Sequence, residues 1–433
     1  MSKKTVLENG TRIVTESIPE FRSCTLGAWV STGSRFETEE DAGIAHFTEH
    51  LLFKGTTRRS AYEIAKEMDS IGGQLNAFTE KERTCFYARV LDQHVPIAID
   101  IIFDMLRNSL LDPKEVEREK SVILEEIKMI EDSPDDLAGH RFTRALWPGH
   151  AIGRPIIGYR DSVQGMTSEK LRHFLTNRYG GPNLMIAAAG QVDHDQFVEL
   201  VRTHLDGYPV GDFVPDFDAP RPEGTNQVFQ KDCEQAYVCY GGRGPHTTDP
   251  RRYSFLVLDA VMGGSMSSRL FQEIREKRGL AYSVGTYQYT YTDVGLFAVH
   301  AGTSAKSVEE LLDATDEILH NVIKDGLTPE ELRRSKELLK GNLALGLEST
   351  SMRMLRLARG HLNHGRLIPV EEVLDAIERT THEDVVALAE EFFDPSRFSF
   401  TILGPVDSVR GVEAQPVQSS DLRTSAELKE VLS

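Results

Sequence analysis

The segment His46-Phe47-Thr48-Glu49-His50 places two imidazoles four residues apart, with a carboxylate between them. In a helix, predicted here over 43–53, that spacing stacks both rings on one face and sets Glu49 beside them. Neutral imidazole suits Zn²⁺, and a catalytic zinc site takes three protein ligands at about 2.0–2.2 Å, leaving a fourth position for water. A carboxylate near that water but off the metal can take its proton, and here that would be Glu49. Two histidines and a glutamate can share a helix face by chance, so a third ligand decides. A second helix, predicted over 113–130, carries Glu119 and Glu126 two turns apart on one face, while Val116, Ile123, Ile127 and Ile130 form its apolar side. Glu126 could complete a site for one Zn²⁺ per chain. Glu119 could accept the remaining N–H of a ligand histidine and so fix its tautomer. The plain alternative for this helix is a solvated face rich in carboxylates.

The chain that must position these residues has 433 of them, 40% hydrophobic and 27% charged, the composition of an ordinary globular protein. That composition excludes collagen-like and disordered classes. Its longest apolar stretches, 95–103 and 184–189, fall short of the roughly 18 residues a membrane span requires. Lys and Arg total 49 against 67 Asp and Glu, a net charge of -18, and that field opposes nucleic-acid binding. Four cysteines without a CxxC pair read as reduced thiols, and the first residues leave no room for a signal segment, so a cytoplasmic address is expected.

Pro209, Pro215, Pro220 and Pro222 interrupt a stretch of weak periodicity, which divides the chain. Residues 1–210 are expected to form the metal-binding half, 211–225 a linker and 226–433 a homologous half. An internal repeat supports the division. Thr167 to Val192 matches Thr381 to Val406 without a gap, each a capped amphipathic helix followed by an apolar strand. Leu111-Asp112-Pro113 likewise matches Leu327-Thr328-Pro329, each opening a long helix. Across the repeat, Asn342 stands at Glu126 and Ser335 at Glu119, while Phe255, Leu258 and Asp259 stand at His46, Glu49 and His50. Only the first copy can hold metal.

Strands are predicted over 12–16, 24–32, 74–91, 184–189, 227–240, 281–300 and 398–403. The longer helices are predicted over 95–110, 113–130, 253–277, 308–324 and 329–359. Strands clustered with long helices indicate an α+β fold of two tandem halves, each a mainly antiparallel sheet with helices on one face, forming a clamshell. The tail after Asp407 is expected to be a short helix or a frayed end.

With these residues in view, the sequence resembles the pitrilysin-type inverted-zincin metallopeptidases, whose HxxEH motif is His46, Glu49 and His50 here. It looks most like the bacterial relatives of mitochondrial processing peptidase. The blocks HFTEHLLFKGT, IGGQLNAFT, VILEEIKM and SRLFQEIREKRGLAYSV carry the likeness, which spans essentially the whole chain. The resemblance implies zinc ligands at His46, His50 and Glu126, a general base at Glu49 and a supporting carboxylate at Glu119. It also implies that Arg275 and Tyr282 of the second half reach the substrate backbone and scissile carbonyl. Phe53 would line the pocket just after the cleaved bond. Asn76, Ala77 and Phe78, in Gln74 to Thr79, would offer a strand edge to an extended peptide. Asp136 would contact basic substrates, with His140 standing where mitochondrial relatives carry a second acid.

The expected activity is therefore zinc-dependent endoproteolysis of unfolded or presequence-like peptides, basic ones included, by a homodimer. A heterodimeric or non-catalytic subunit of a processing-peptidase-like assembly is the other reading. The complete set His46, Glu49, His50, Glu126, Arg275 and Tyr282 favours the enzyme.

Overall fold

The computed structural model describes residues 2–417 except 212 and 222. The first half builds a sheet from β1 (Ser2–Val6), β2 (Arg12–Ser17), β3 (Ser23–Val30), β4 (Gln74–Thr79), β5 (Thr84–Leu91) and β6 (Leu184–Gly190), in the order β1-β2-β6-β3-β5-β4. The second half uses β7 (Gln227–Gln230), β8 (Ala236–Gly244), β9 (Ala281–Thr290), β10 (Gly295–Thr303) and β11 (Ser399–Gly404), in the order β7-β11-β8-β10-β9. Among these strands one pair in each half is parallel, β2 with β6 and β11 with β7, and the other pairings are antiparallel. From β2 onward the first order matches the second strand for strand, as the sequence repeat requires, and the architecture is α+β.

Local signals explain the shared helix starts. Asp112 accepts from the Lys114 amide ahead of Pro113, and Thr328 forms a capping box with Glu331 ahead of Pro329. Thr167 and Thr381 cap the helices Ser168–Arg178 and His382–Phe392 in the same way.

Several long predicted elements are interrupted. The strand expected over 74–91 is a hairpin turning at the charged residues Glu80 to Arg83, and 281–300 is a second hairpin. The 227–240 strand breaks around Asp232 to Glu234. The helix expected over 253–277 ends at Met262, because Gly263 lies against β9 where a Cβ would meet the Thr286 amide at 2.5 Å. It resumes as a wide helical turn, Phe271–Lys277. The 329–359 helix stops at Gly346, and Ser349 caps the next one, Thr350–His364. A helix unforeseen in the sequence, Pro134–Leu146, follows directly on Pro113–Asp132. The tail is neither helical nor frayed over 408–417: two short strands pair, and Gln415–Pro416 extends the second sheet alongside β7. Residues 418–433 lie outside the described residues.

Each half packs its own helices on one face of its sheet, around residues such as Phe47, Ile102 and Ile123 in the first and Phe255, Leu312 and Leu388 in the second. The other face is covered by the opposite half. Met354, Leu357 and Ala358 of Thr350–His364 seal Val14, Trp29, Cys85 and Met185 of the first sheet. Leu137, Phe142 and Leu146 of Pro134–Leu146 seal Phe229, Leu296, Ala298 and Leu403 of the second. Between 206 and 226 the described residues form no helix or strand, yet Phe213 and Phe217 pack edge-on against Phe36. Among the described residues no helix is long and apolar enough to cross a membrane.

Candidate metal centre

The helix Ile44–Leu52 buries Ile44, Ala45, Phe47, Thr48, Leu51 and Leu52, which turns His46, Glu49 and His50 toward the neighbouring helix. That neighbour, Pro113–Asp132, buries Val116, Ile123 and Ile127, and the same rotation brings Glu119 and Glu126 to the two histidines. Glu126 Oε2 lies 3.8 Å from His46 Nε2 and 3.7 Å from His50 Nε2, and the two rings are 4.6 Å apart between centroids. One donor atom from each of His46, His50 and Glu126 falls within 4.8 Å of the others.

Ligands at about 2.1 Å in tetrahedral array sit roughly 3.4 Å from one another, so these separations suit one Zn²⁺. They are too long for hydrogen bonds, so both ring nitrogens face the carboxylate oxygen with room for a cation between. Burial, and then the proximity of His50, pushes His46 down to about 3, so its imidazole is neutral and free to donate a lone pair.

Glu119 comes to the His50 ring. Nearly sealed from solvent at 3% side-chain exposure, its Oε2 lies 3.0 Å from His50 Nδ1. Its Oε1 meets Lys54 Nζ at 2.5 Å. Lys54 was missed in the sequence, because it stands in the turn just after the helix ends at Leu52, where helical spacing no longer tells which way a side chain points. Glu49 stays outside the three-atom cluster. Burial raises its carboxyl above the usual range, and the Thr79 hydroxyl, donating to Oε2 at 2.5 Å, opposes that rise. No spacing in the sequence announces the Thr79 contact, which depends on β4 ending beside the metal helix.

The remaining expectations separate. Asn76, Ala77 and Phe78 do lie on a strand at the sheet edge, but Phe78 turns its ring onto Trp29, 5.5 Å between centroids. Phe53 ends the metal helix and packs against the first core, 6.4 Å from Phe86. Arg275 stacks over Tyr282 and Phe271, each at 4.7 Å, and Tyr282 is 77% exposed. Among the described residues neither Arg275 nor Tyr282 makes a hydrogen bond, ion pair or ring contact with the first half. Among the described residues no contact joins the metal triad to this pair.

A cavity of about 670 Å³ opens between the halves and is lined by Asp135, Asp136, His140, Tyr287 and Tyr289. Asp136 thus lies beside its neighbour Asp135 at a pocket, apart from the metal ligands. In the second half, the counterpart of the metal site is filled. Phe255 and Leu258 are fully buried core, and Asp259 accepts from the Thr286 hydroxyl at 2.6 Å.

The family described as Insulinase (Peptidase family M16) matches residues 12–160, and the one described as Peptidase M16 inactive domain matches 165–339. A protein of Bacillus subtilis named an uncharacterized zinc protease is 39% identical, over 94% of this chain and 98% of its own length. One of Streptomyces coelicolor, with the same description, is 42% identical over 93% of this chain and 90% of its own. Among solved structures, a peptidase M16 inactive domain from Pseudomonas fluorescens superimposes with a TM-score of 0.88 at 20% identity, covering 96% of this chain and all of that one. A protease from Helicobacter pylori superimposes with a TM-score of 0.85 at 22% identity, covering 94% and 99%.

Proposed function

Because the chain belongs to peptidase family M16, we propose that it is a zinc-dependent endopeptidase acting on unfolded peptides bound in extended form. Its relatives are zinc proteases by name, and a zinc protease is what its own donor set suits. The observation that carries the reading is the convergence of His46, His50 and Glu126 on one point, with Glu49 beside them and free of the cluster.

When bound there, Zn²⁺ supplies Lewis acidity to the scissile carbonyl and to the attacking water. Glu49 accepts the proton of that water on its carboxylate, and afterwards gives it to the leaving amine. Glu119 holds the His50 ring through Nδ1, so that Nε2 stays aimed at the ion. The open edge of β4 offers backbone groups to a peptide laid alongside as a further strand, which is indifferent to substrate sequence. Selectivity is assigned to the cavity, where Lys81, Arg83, Arg154 and Arg359 share the lining with acids and the exposed carboxylates Asp135 and Asp136, beside tyrosine rings, are the groups a basic side chain would meet. His140, held neutral by burial at about 4, adds no competing charge.

Arg275 and Tyr282 are the donors proposed for the developing oxyanion and the substrate backbone. Within the chain they are poorly placed for that work. Besides the exchanged helices, the second half touches the first through the turn after β9, where Thr292 donates to Glu82 and Asp293 meets Arg35. Tyr282 lies at the opposite end of β9, roughly 30 Å of extended strand from that turn. A homodimer in which each chain lends this pair to the other's metal half reconciles the residues with their role. Four free cysteines, three of them buried, suit a reducing compartment such as the cytoplasm.

Mixing two inactive chains tests this reading. Glu49→Gln should retain zinc but lose cleavage, and Tyr282→Phe should lose most of its turnover while staying folded. After subunit exchange, half of the dimers are mixed and each holds one complete site, so activity should return to about a quarter of wild type. Substrates would be a basic presequence-like peptide and an acidic control, with fragments read by mass spectrometry with and without chelator. Cleavage that survives chelation would remove the metal from the mechanism, and a mixture that stays silent while wild type cleaves would remove the exchange between chains.

A further inference from the structure

The helix carrying His46, Glu49 and His50 begins in an unusual way. Its capping residue, Gly43, has φ +91°, and a Cβ there would strike the Ile157 carbonyl oxygen at 2.5 Å. Gly158 faces it with φ +83°, where a Cβ would meet the Ala42 carbonyl oxygen at 2.3 Å. Two backbones cross in contact at this point, so the capping position can carry no side chain and the first amides of the helix need a partner from elsewhere. Glu37 is that partner. Its Oε2 accepts from the Gly43 amide at 2.7 Å and its Oε1 from the Ala45 amide at 2.8 Å. The side chain is buried, with Lys81 and Arg154 as the nearby cations. A carboxylate at this end of a helix is also favoured by the helix dipole.

The same short turn is held by the second half. Arg35, two residues before Glu37, is buried and grips Asp293 with both terminal nitrogens, at 2.7 and 2.5 Å. Its Nη1 also donates to Glu82 at 2.8 Å, and Glu82 accepts from the Thr292 amide and hydroxyl. The Arg35 amide donates to the Lys81 carbonyl at 2.7 Å, tying the turn to the β4–β5 hairpin. Ser34–Glu37 therefore joins the β9–β10 turn of the inactive half to the start of the metal helix. His46 follows Ala45 directly, so any slip of that start moves the first ligand.

We propose that Glu37 is a positioning residue of the peptidase site: its carboxylate fixes where the metal helix begins, and the Arg35–Asp293 clasp makes that setting depend on the second half. The proposal rests on the zinc-peptidase reading and adds a task for the half that holds no metal. Glu37→Gln keeps size and shape but turns an NH₂ toward an amide that needs an acceptor, so one of the two bonds is lost. Outer residues that hold a ligand in place typically change metal affinity by about 10- to 100-fold.

The test is Co²⁺ titration of the metal-free full-length protein, read by its visible absorption, alongside kcat and KM. Wild type should bind one Co²⁺ with the intense band of a tetrahedral site. Glu37→Gln should bind about tenfold more weakly or worse, with a shifted band, and should lose kcat more than it raises KM. Asp293→Asn, on the β9–β10 turn of the other half, should move the band and affinity in the same direction by a smaller amount. A folded Glu37→Gln protein with the wild-type band and affinity overturns the proposal. Should Glu37→Gln fail to fold, Asp293→Asn decides: a weakened, shifted site supports the coupling, and an unchanged one overturns it. If wild type itself binds no Co²⁺, the zinc-peptidase reading falls and takes this one with it, whereas normal wild-type binding with indifferent variants sinks only the role of Glu37.

Discussion

Met354→Ala should destabilise the half of the chain to which Met354 does not belong. The residue sits on the second half's helix Thr350–His364, yet it is fully buried against the first sheet beside Trp29 and Cys85. Its sulfur accepts from Trp29 Nε1 at 3.3 Å, and it also packs on Gly27. Truncating a buried methionine to alanine costs about 2–5 kcal/mol. Stranding the buried indole N–H adds about 1 kcal/mol or more, so a loss of about 4 kcal/mol is reasonable. At about 2.1 cal/mol/K per residue, the melting entropy of a 433-residue chain is about 0.9 kcal/mol/K, which converts the loss to a fall in Tm of about 4 °C. The assay is differential scanning calorimetry with and without saturating Zn²⁺. The ion raises whichever transition contains the metal half, because it binds only folded protein. Exchange of helices between the halves requires the Zn²⁺-responsive transition to move. Two separate transitions, with the Zn²⁺-responsive one unmoved by Met354→Ala, would refute the reasoning.

Two further perturbations probe the site. Thr79→Val removes the hydroxyl that opposes the upward shift of Glu49, so that carboxyl should rise further. A base works only when ionised and activity disappears as pH falls through its pKa, so the acid limb of the kcat/KM profile should move to higher pH; an unmoved limb would show that Thr79 does not tune the base. Lys54→Met removes the partner of Glu119 Oε1 and frees that carboxylate to swing from His50. Deleting a cation should by itself strengthen the hold on Zn²⁺, so a roughly tenfold loss of affinity in chelator competition identifies a positioning effect, and a gain would assign Lys54 a purely electrostatic role.

The sequence carried much of the fold because its stop and start signals are local. Asp112-Pro113 and Thr328-Pro329 mark two long helices in equivalent places, and the structure begins both there. Interruptions were harder to see, since apolar periodicity persists across Gly263 and Leu347 while the backbone does not. Helix Pro134–Leu146 was missed for a different reason. Its buried residues Leu137, Ala138, Phe142 and Leu146 face the sheet of the other half, and a hydrophobic stripe tells that a face is covered without telling by what. The exchange of helices therefore had no signature in either segment alone.

The same distinction runs through the candidate site. The convergence of the candidate site residues was legible because it depends on two helical spacings, four residues for His46 and His50 and seven for Glu119 and Glu126, and because Val116, Ile123 and Ile127 fix how the second helix is rotated. Thr79 and Glu37 follow no such spacing, as each reaches the metal helix from a separate element whose approach is set by packing. The second half shows that the scaffold alone makes no site. Its helices Arg252–Met262 and Pro329–Gly346 stand in equivalent places, but Phe255 and Leu258 extend the core where ligand and base would be, and Asp259 is spent on Thr286. Freed from holding metal, that half kept two other attachments that bear on the chemistry: Asp293, which clasps the turn bearing Glu37, and the exposed Arg275–Tyr282 pair. The first is directed at its own chain, and among the described residues the second makes no contact with the first half, so under the proposed reading the one half would brace the metal centre of its own chain and complete that of another.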